Sequence, residues 1–224
     1  FFGAVFWAIL VCLFLPDSAL AQAPFYQGKT ITIIEGRKPG GTGDLRVRSV
    51  MSLLQKYIPG NPTIVTEFMP GGGGRKAANH MSGTVRPDGL TIVNIGAGFI
   101  SNAILGQPGV KYDIDKIIYL GSGNSKSSYL FHTRKDLGWD TLEKLRNASG
   151  IKVGCQSVGH DIYIMGRLFA WLLDLKEPNC IAGYSGPAIN TALMRGEVDG
   201  RASITDDIPK RTPEWLEKDL MDWH

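Results

Sequence analysis

Two glycine-rich turns hold the residues with the most legible chemistry. Gly36-Arg-Lys-Pro-Gly-Gly-Thr-Gly-Asp44 and Pro70-Gly-Gly-Gly-Gly-Arg-Lys76 each close an apolar run of strand character and open one of helical character. Such a turn lines up free backbone N–H groups at the positive end of a helix, so it can hold an anion without a positive side chain. Two of them in one chain suggest capture of a small anion. Arg37, Lys38, Arg75 and Lys76 flank the turns, either adding positive potential there or standing as solvated loop charges. Asp44 follows a turn and precedes a helix, so it complements the helix dipole or, alternatively, meets the ligand.

Other chemistries fail on detail. Gly36-x-x-x-x-Gly41-Thr42 lacks the Lys of a phosphate loop, and Gly71-x-Gly73-x-x-Lys76 and Gly96-x-Gly98-x-x-Ser101 lack the third glycine of a dinucleotide turn. Around Ser157 the first glycine of a nucleophile elbow is absent, and Gly183-Tyr-Ser185-Gly186 is one residue short. Each serine reads instead as a hydroxyl donor to a ligand or as a helix cap. His80, His132, His160 and His224 show no pairwise metal spacing, so neither a metal nor a cofactor is expected. Cys155 and Cys180 each lie in or beside a short strand-like run; they pair if those strands are neighbours, or remain two ordinary thiols.

The elements that position these residues alternate. Strands are expected at 30–35, 63–68 and 90–95, each followed by a glycine turn and a helix, the first helix running from Asp44 to Ile58 with Val47, Val50, Met51, Leu54, Tyr57 and Ile58 on one buried face. The polar stretch 121–128 suits a crossing between domains. Beyond it come a strand at Tyr129, a capping-box-like start at 140–143, a strand at 151–156, and a helix from Asp161 to Leu175 with Ile164, Leu168, Trp171, Leu172 and Leu175 on one side. Then follow a strand at 180–183, a helix at 188–195 and another strand after Gly196. Repeated β-loop-α units give an α/β chain of mostly parallel sheets in two lobes, with a crevice at the carboxyl ends of the strands.

In a chain of 224 residues, 24 Lys and Arg against 21 Asp and Glu, scattered rather than clustered, leave no electrostatic footprint for nucleic acid. The apolar run from Phe1 to Leu15, the break at Pro16 and the small-x-small sites ending at Ala21 and Ala23 read as the end of an export signal cleaved near either alanine; an uncleaved anchor is the alternative. Without an initial Met or a basic n-region, the chain is expected to begin inside a longer product. At the other end Thr212-Pro-Glu-Trp starts a capped helix that is expected to be cut short at His224.

Taken together, Tyr26-Gln-Gly-Lys-Thr-Ile-Thr-Ile-Ile34, Pro39-Gly-Gly-Thr-Gly-Asp44, Met69-Pro-Gly-Gly-Gly-Gly74, Arg86-Pro-Asp-Gly-Leu-Thr-Ile92, Lys152-Val-Gly-Cys-Gln-Ser-Val-Gly159 and Gly183-Tyr-Ser-Gly-Pro-Ala188, running on to Leu193-Met-Arg-Gly-Glu-Val-Asp199, resemble the solute receptors of tripartite tricarboxylate transporters, the Bug receptors. The resemblance implies a two-lobed type II periplasmic binding protein fold with its C-terminal part missing. It implies a signal at 1–23, a first lobe at 24–121 and a second at 122–224. It further implies a periplasmic, non-catalytic, monomeric receptor that closes over a small carboxylate and delivers it to integral membrane permease subunits. Gly40, Gly41, Thr42 and Gly43 would hold one carboxylate, with Asp44 beside them, while Gln156, Ser157 and Gly159 would meet the far end; the turn at 71–74 ranks lower, as a structural turn beneath the cleft. The chain departs from the family where it has Arg37-Lys38 for apolar and proline residues, Gly-Gly-Thr-Gly for three glycines then Thr, and Ser203-Ile204 for an Asp-Asn pair. An exported α/β enzyme acting on a similar anion, and a receptor homologue serving signalling, are the rival functions.

Overall fold

A computed structural model of the protein describes residues 23–122 and 128–224. The export signal, Cys12 and most of the expected crossing at 121–128 lie outside the described residues.

The first sheet has three parallel strands in the order β2-β1-β3, formed by β1 (Thr30–Glu35), β2 (Thr63–Phe68) and β3 (Thr91–Asn94). Its centre is β1, where Ile31, Ile33 and Ile34 are buried and β-branched side chains suit the pleat. Each strand runs into a helix: α1 (Thr42–Tyr57), α2 (Arg75–Gly83, after a single 3-10 turn at Gly72–Gly74) and α3 (Gly98–Ile104).

The second sheet has the order β6-β5-β7-β4-β8, from β4 (Tyr129–Arg134), β5 (Lys152–Gly154), β6 (Asn179–Ile181), β7 (Gly200–Ile204) and β8 (Met221–Trp223). Strand β5 is parallel to β6 and β7, whereas β4 is antiparallel to β7 and β8. The intervening helices are α4 (Leu142–Asn147), α5 (Asp161–Leu172), α6 (Gly186–Met194), α7 (Asp207–Arg211) and α8 (Pro213–Glu217). One core cluster gathers Phe131, Leu145, Ile151, Val153 and Cys155, and another gathers Ile162, Ile189, Leu193, Trp215 and Met221. The architecture is the two-sheet, parallel-rich α/β arrangement expected.

Three local expectations are corrected. On α5 the buried stripe is Ile162, Gly166 and Ala170, while Leu168, Trp171 and Leu172 are exposed, Trp171 at 76%. The helix packs through its small residues: a Cβ at Gly166 would already stand 3.3 Å from Cys155 Sγ and from Val153 Cγ1, so close approach to the sheet turns the large side chains outward. On α1 only Val47 of the expected face is buried, and Val50 and Tyr57 are exposed, because a surface groove lined by Met51, Ile64 and Phe68 lies between the helix and edge strand β2. Finally, the helix after Thr212 stops at Glu217 and the chain turns at Asp219, with φ +48°, into β8. Thr212 does not cap it, since its hydroxyl donates to the Ile208 carbonyl at 3.3 Å.

Strands β5 and β6 are neighbours, and Cys180 stands opposite Val153, two residues from Cys155. Both thiols are free. Contact with Cys180 and burial push the Cys155 thiol up, and the same contact lowers that of Cys180 to about 7.

Candidate functional site

Strand β1 ends in Glu35, a carboxylate with no exposure. Burying such a charge is costly unless it is paired, and here Arg37 Nε donates to Oε1 at 2.6 Å while Asn94 Nδ2 donates to Oε2. The pairing folds the Arg37 guanidinium back over Gly43, where any Cβ would displace it from Glu35. Gly40 takes φ +76° and starts the reversal into α1.

The turn's donors are unevenly committed. Gly40 N–H donates to Asp44 Oδ2 at 2.9 Å, and Arg48 Nε donates to the other Asp44 oxygen at 2.8 Å. Both Asp44 oxygens are therefore used inside the first lobe. Burial works to raise the Asp44 pKa, but the Gly40 amide and Arg48 outweigh it and hold it below the usual range. Among the described residues the N–H groups of Gly41, Thr42 and Gly43 have no acceptor, and no side chain caps the helix. These three amides are the uncommitted donors of the turn, whereas the Gly40 N–H is engaged by Asp44.

The second lobe closes directly onto this turn. Thr42 Oγ1 donates to Asp207 Oδ2 at 2.7 Å, Arg211 Nη2 donates to the Gly40 carbonyl at 2.9 Å, and Lys38 Nζ donates to the Gly183 carbonyl at 3.0 Å. Gln156 lies beside that last loop, since Gly183 N–H donates to its carbonyl at 3.3 Å. Gln156 and Ser157 are half-buried, with side chains that make no hydrogen bond among the described residues.

Gly159, expected at the far end of the ligand, meets the first lobe through its backbone. With φ +83° it packs on the first lobe: its carbonyl accepts from Asn102 Nδ2 at 3.3 Å, and a Cβ on Gly73 would stand 2.0 Å from that oxygen. The 71–74 turn packs closely on the second-lobe backbone at Gly159 and His160. His160 Nδ1 faces both the Ile162 amide, at 3.2 Å, and Asp161 Oδ1. One ring nitrogen can serve only one of them: unprotonated it caps α5, and protonated it pairs with the carboxylate. Tyr129 donates its hydroxyl to Asp161 Oδ2 at 3.3 Å, and burial with the nearby Asp161 charge pushes its pKa up to about 12. Burial alone would raise the Asp161 pKa, but His160 and the charge of Arg37 outweigh it and keep the carboxyl ionised.

Sequence reading missed Glu35, Asn102, Asp161, Asp207 and Arg211. Asp206-Asp207 was findable, because it follows β7 at the carboxyl end of a strand, where such sheets bind ligands.

No protein-family model matches the sequence, and no curated protein matches it. Solved structures do. MatC from Rhodopseudomonas palustris with bound malate aligns at a TM-score of 0.66 and 22% identity, over 87% of this chain and 65% of that one. A second R. palustris protein, solved with adipate, gives 0.62 and 16% over 87% and 64%, and the periplasmic binding protein BugD gives 0.62 and 17% over 88% and 65%. The chain thus has the two-lobed fold of these binding proteins, as its motifs implied, and spans about 65% of their length.

Proposed function

We propose that this chain is a non-catalytic, periplasmic solute receptor that closes its two lobes, 24–121 and 122–224, over a small carboxylate. It presents the carboxylate to the permease subunits of a tripartite tricarboxylate-type transporter and acts as a monomer. The observation that carries the reading is the turn at the start of α1, whose Gly41, Thr42 and Gly43 amides are uncommitted where the second lobe meets the first. Ser157 brings a neutral hydroxyl that can donate to a carboxylate without burying a further charge, and Thr42 brings a second once its bond to Asp207 is exchanged for one to the ligand. The malate and adipate of the similar structures are small carboxylates, which supports the same ligand chemistry here.

The test is thermal unfolding of the protein with mono-, di- and tricarboxylates, amino acids and aromatic acids. A ligand at about 100 times its Kd adds about 2.7 kcal/mol, or roughly 5–10 °C in Tm for a chain of this size. A flat panel, or chemical turnover of a stabilising compound, overturns the receptor reading.

A further inference from the structure

Outside the cleft, the second sheet holds two thiols that the receptor reading does not use. Cys155 directly follows β5, its N–H donating to the Ile181 carbonyl at 2.8 Å, and Cys180 lies on the neighbouring β6. Their side chains belong to the same apolar cluster and touch one another, yet no bond joins them.

The two differ in access. Cys155 has no exposure, and α5 lies over it so closely that a Cβ on Gly166 would stand 3.3 Å from its Sγ. Cys180 is half-buried and lines a surface groove of about 550 Å³ with Tyr163, Arg167, Trp171 and Pro178. Arg167 is steadied in that groove by a 3.2 Å hydrogen bond from Nη1 to the Tyr163 hydroxyl. Hydrogen bonding from Cys155 and the charge of Arg167 both favour the thiolate of Cys180. A nucleophilic sulfur thus faces the groove, with a second thiol directly behind it.

We propose that Cys180 and Cys155 form a reversible thiol–disulfide exchange site, in which Cys180 attacks a small-molecule disulfide seated in the groove and Cys155 resolves the product. In the first step Cys180 Sγ bonds to one sulfur of the incoming disulfide, whose S–S bond breaks, and the released thiolate takes up a proton. In the second, Cys155 gives up its proton and its Sγ bonds to Cys180 Sγ, expelling the other half of the reagent as a thiol. The protein loses two hydrogen atoms, and the small disulfide is reduced to two thiols. Cys180 stands opposite Val153, so it is diagonal to Cys155 rather than facing it. A bond between them draws the ends of β5 and β6 together, and a disulfide formed against such resistance is readily reduced, which suits exchange better than permanent cross-linking. The site does not depend on what the cleft binds.

The test treats the reduced full chain with glutathione disulfide, quenches with acid and reads intact mass and peptide maps, which separate Cys12 from the pair. The unmodified protein is expected to yield a linked Cys155–Cys180 peptide lighter by two hydrogen atoms, and excess reduced glutathione is expected to open it. Cys155→Ser should halt at a single glutathione adduct on Cys180, and Cys180→Ser should leave Cys155 unmodified. Retention of both thiols, a lasting adduct on Cys180 in place of the linkage, or a linkage that reduced glutathione does not open overturns the proposal. So does an adduct on Cys155 in C180S, since it would make the buried thiol the attacking one. The first three outcomes are read in the unmodified protein and decide the matter even if a variant fails to fold.

Discussion

At the scale of single residues, glycine does two separate jobs. The glycines of the α1 turn free backbone donors; Gly73 and Gly159 let two backbones touch. Gly73 has φ +64°, and a Cβ there would meet the Gly159 carbonyl oxygen at 2.0 Å, too near for any rotamer to relieve. Gly73→Ala should therefore lower Tm, with a cost on the order of 1–3 kcal/mol for the backbone conformation alone and more for the clash. Gly106→Ala is the matched control, since Gly106 has φ +60° and open space around it. Equal losses from the two substitutions would mean that the interlobe clash is absent. The same distinction explains what the sequence disclosed at this scale. Glycine content marked both turns, but nothing in the text Pro-Gly-Gly-Gly-Gly indicated a partner backbone 86 residues beyond Gly73.

At the scale of elements, strand β4 carries the main polar liability of the second lobe. His132 is fully buried there, with Nε2 at 2.9 Å from Ser203 Oγ and with Trp215 and Trp223 beside its ring. Burial, with the nearby charge of Arg201, drives its pKa well below the usual imidazole value. The unfolded chain then binds a proton near pH 6.5 that the folded chain refuses, so stability rises with pH across that window and falls as pH drops below it. Denaturant titrations between pH 7 and 5 should show a loss of up to about 1.4 kcal/mol per pH unit, and His132→Gln should flatten it. A flat profile in the unmodified protein would exclude a buried neutral His132. Asp44 and Asp161 have the opposite shift, so their stabilisation is lost only below about pH 4. The strands were legible because runs such as Thr-Ile-Thr-Ile-Ile bear β-branched residues between turn signals. Helix faces were not, because α5 packs through Gly166 and Ala170 and a hydrophobic stripe counts only bulk.

At the scale of the whole molecule, the lobes are joined, among the described residues, by a few polar bonds and by Gly73 and Gly98 packing on Gly159 rather than by a shared apolar cluster. Each hydrogen bond is worth about 0.5–1.5 kcal/mol net, more where a charge takes part, so the closed arrangement is favoured by only a few kcal/mol. A balance of that size is one that a ligand bridging both walls can shift. Thr42→Ala combined with Arg211→Ala removes two of the links, and small-angle scattering should then report a larger radius of gyration than the roughly 17 Å of a compact chain of this length. An unchanged radius would show that the links left in place, from Lys38 and Asn102 and the backbone packing at Gly159, suffice to hold the lobes together. The two-lobed plan was readable from the order of motifs along the chain. The pairing of Thr42 with Asp207, 165 positions away, was not, because spacing along the chain carries no record of which loops meet across a cleft.

Three of the four hydrogen bonds named across the cleft end on the carbonyl oxygens of Gly40, Gly159 and Gly183. A main-chain acceptor survives any replacement its backbone conformation tolerates, so mutation can retune those three bonds only from the donor side, at Lys38, Asn102 and Arg211. Those three positions are where substitution would change how firmly the two lobes hold together while leaving the turn of α1 itself untouched.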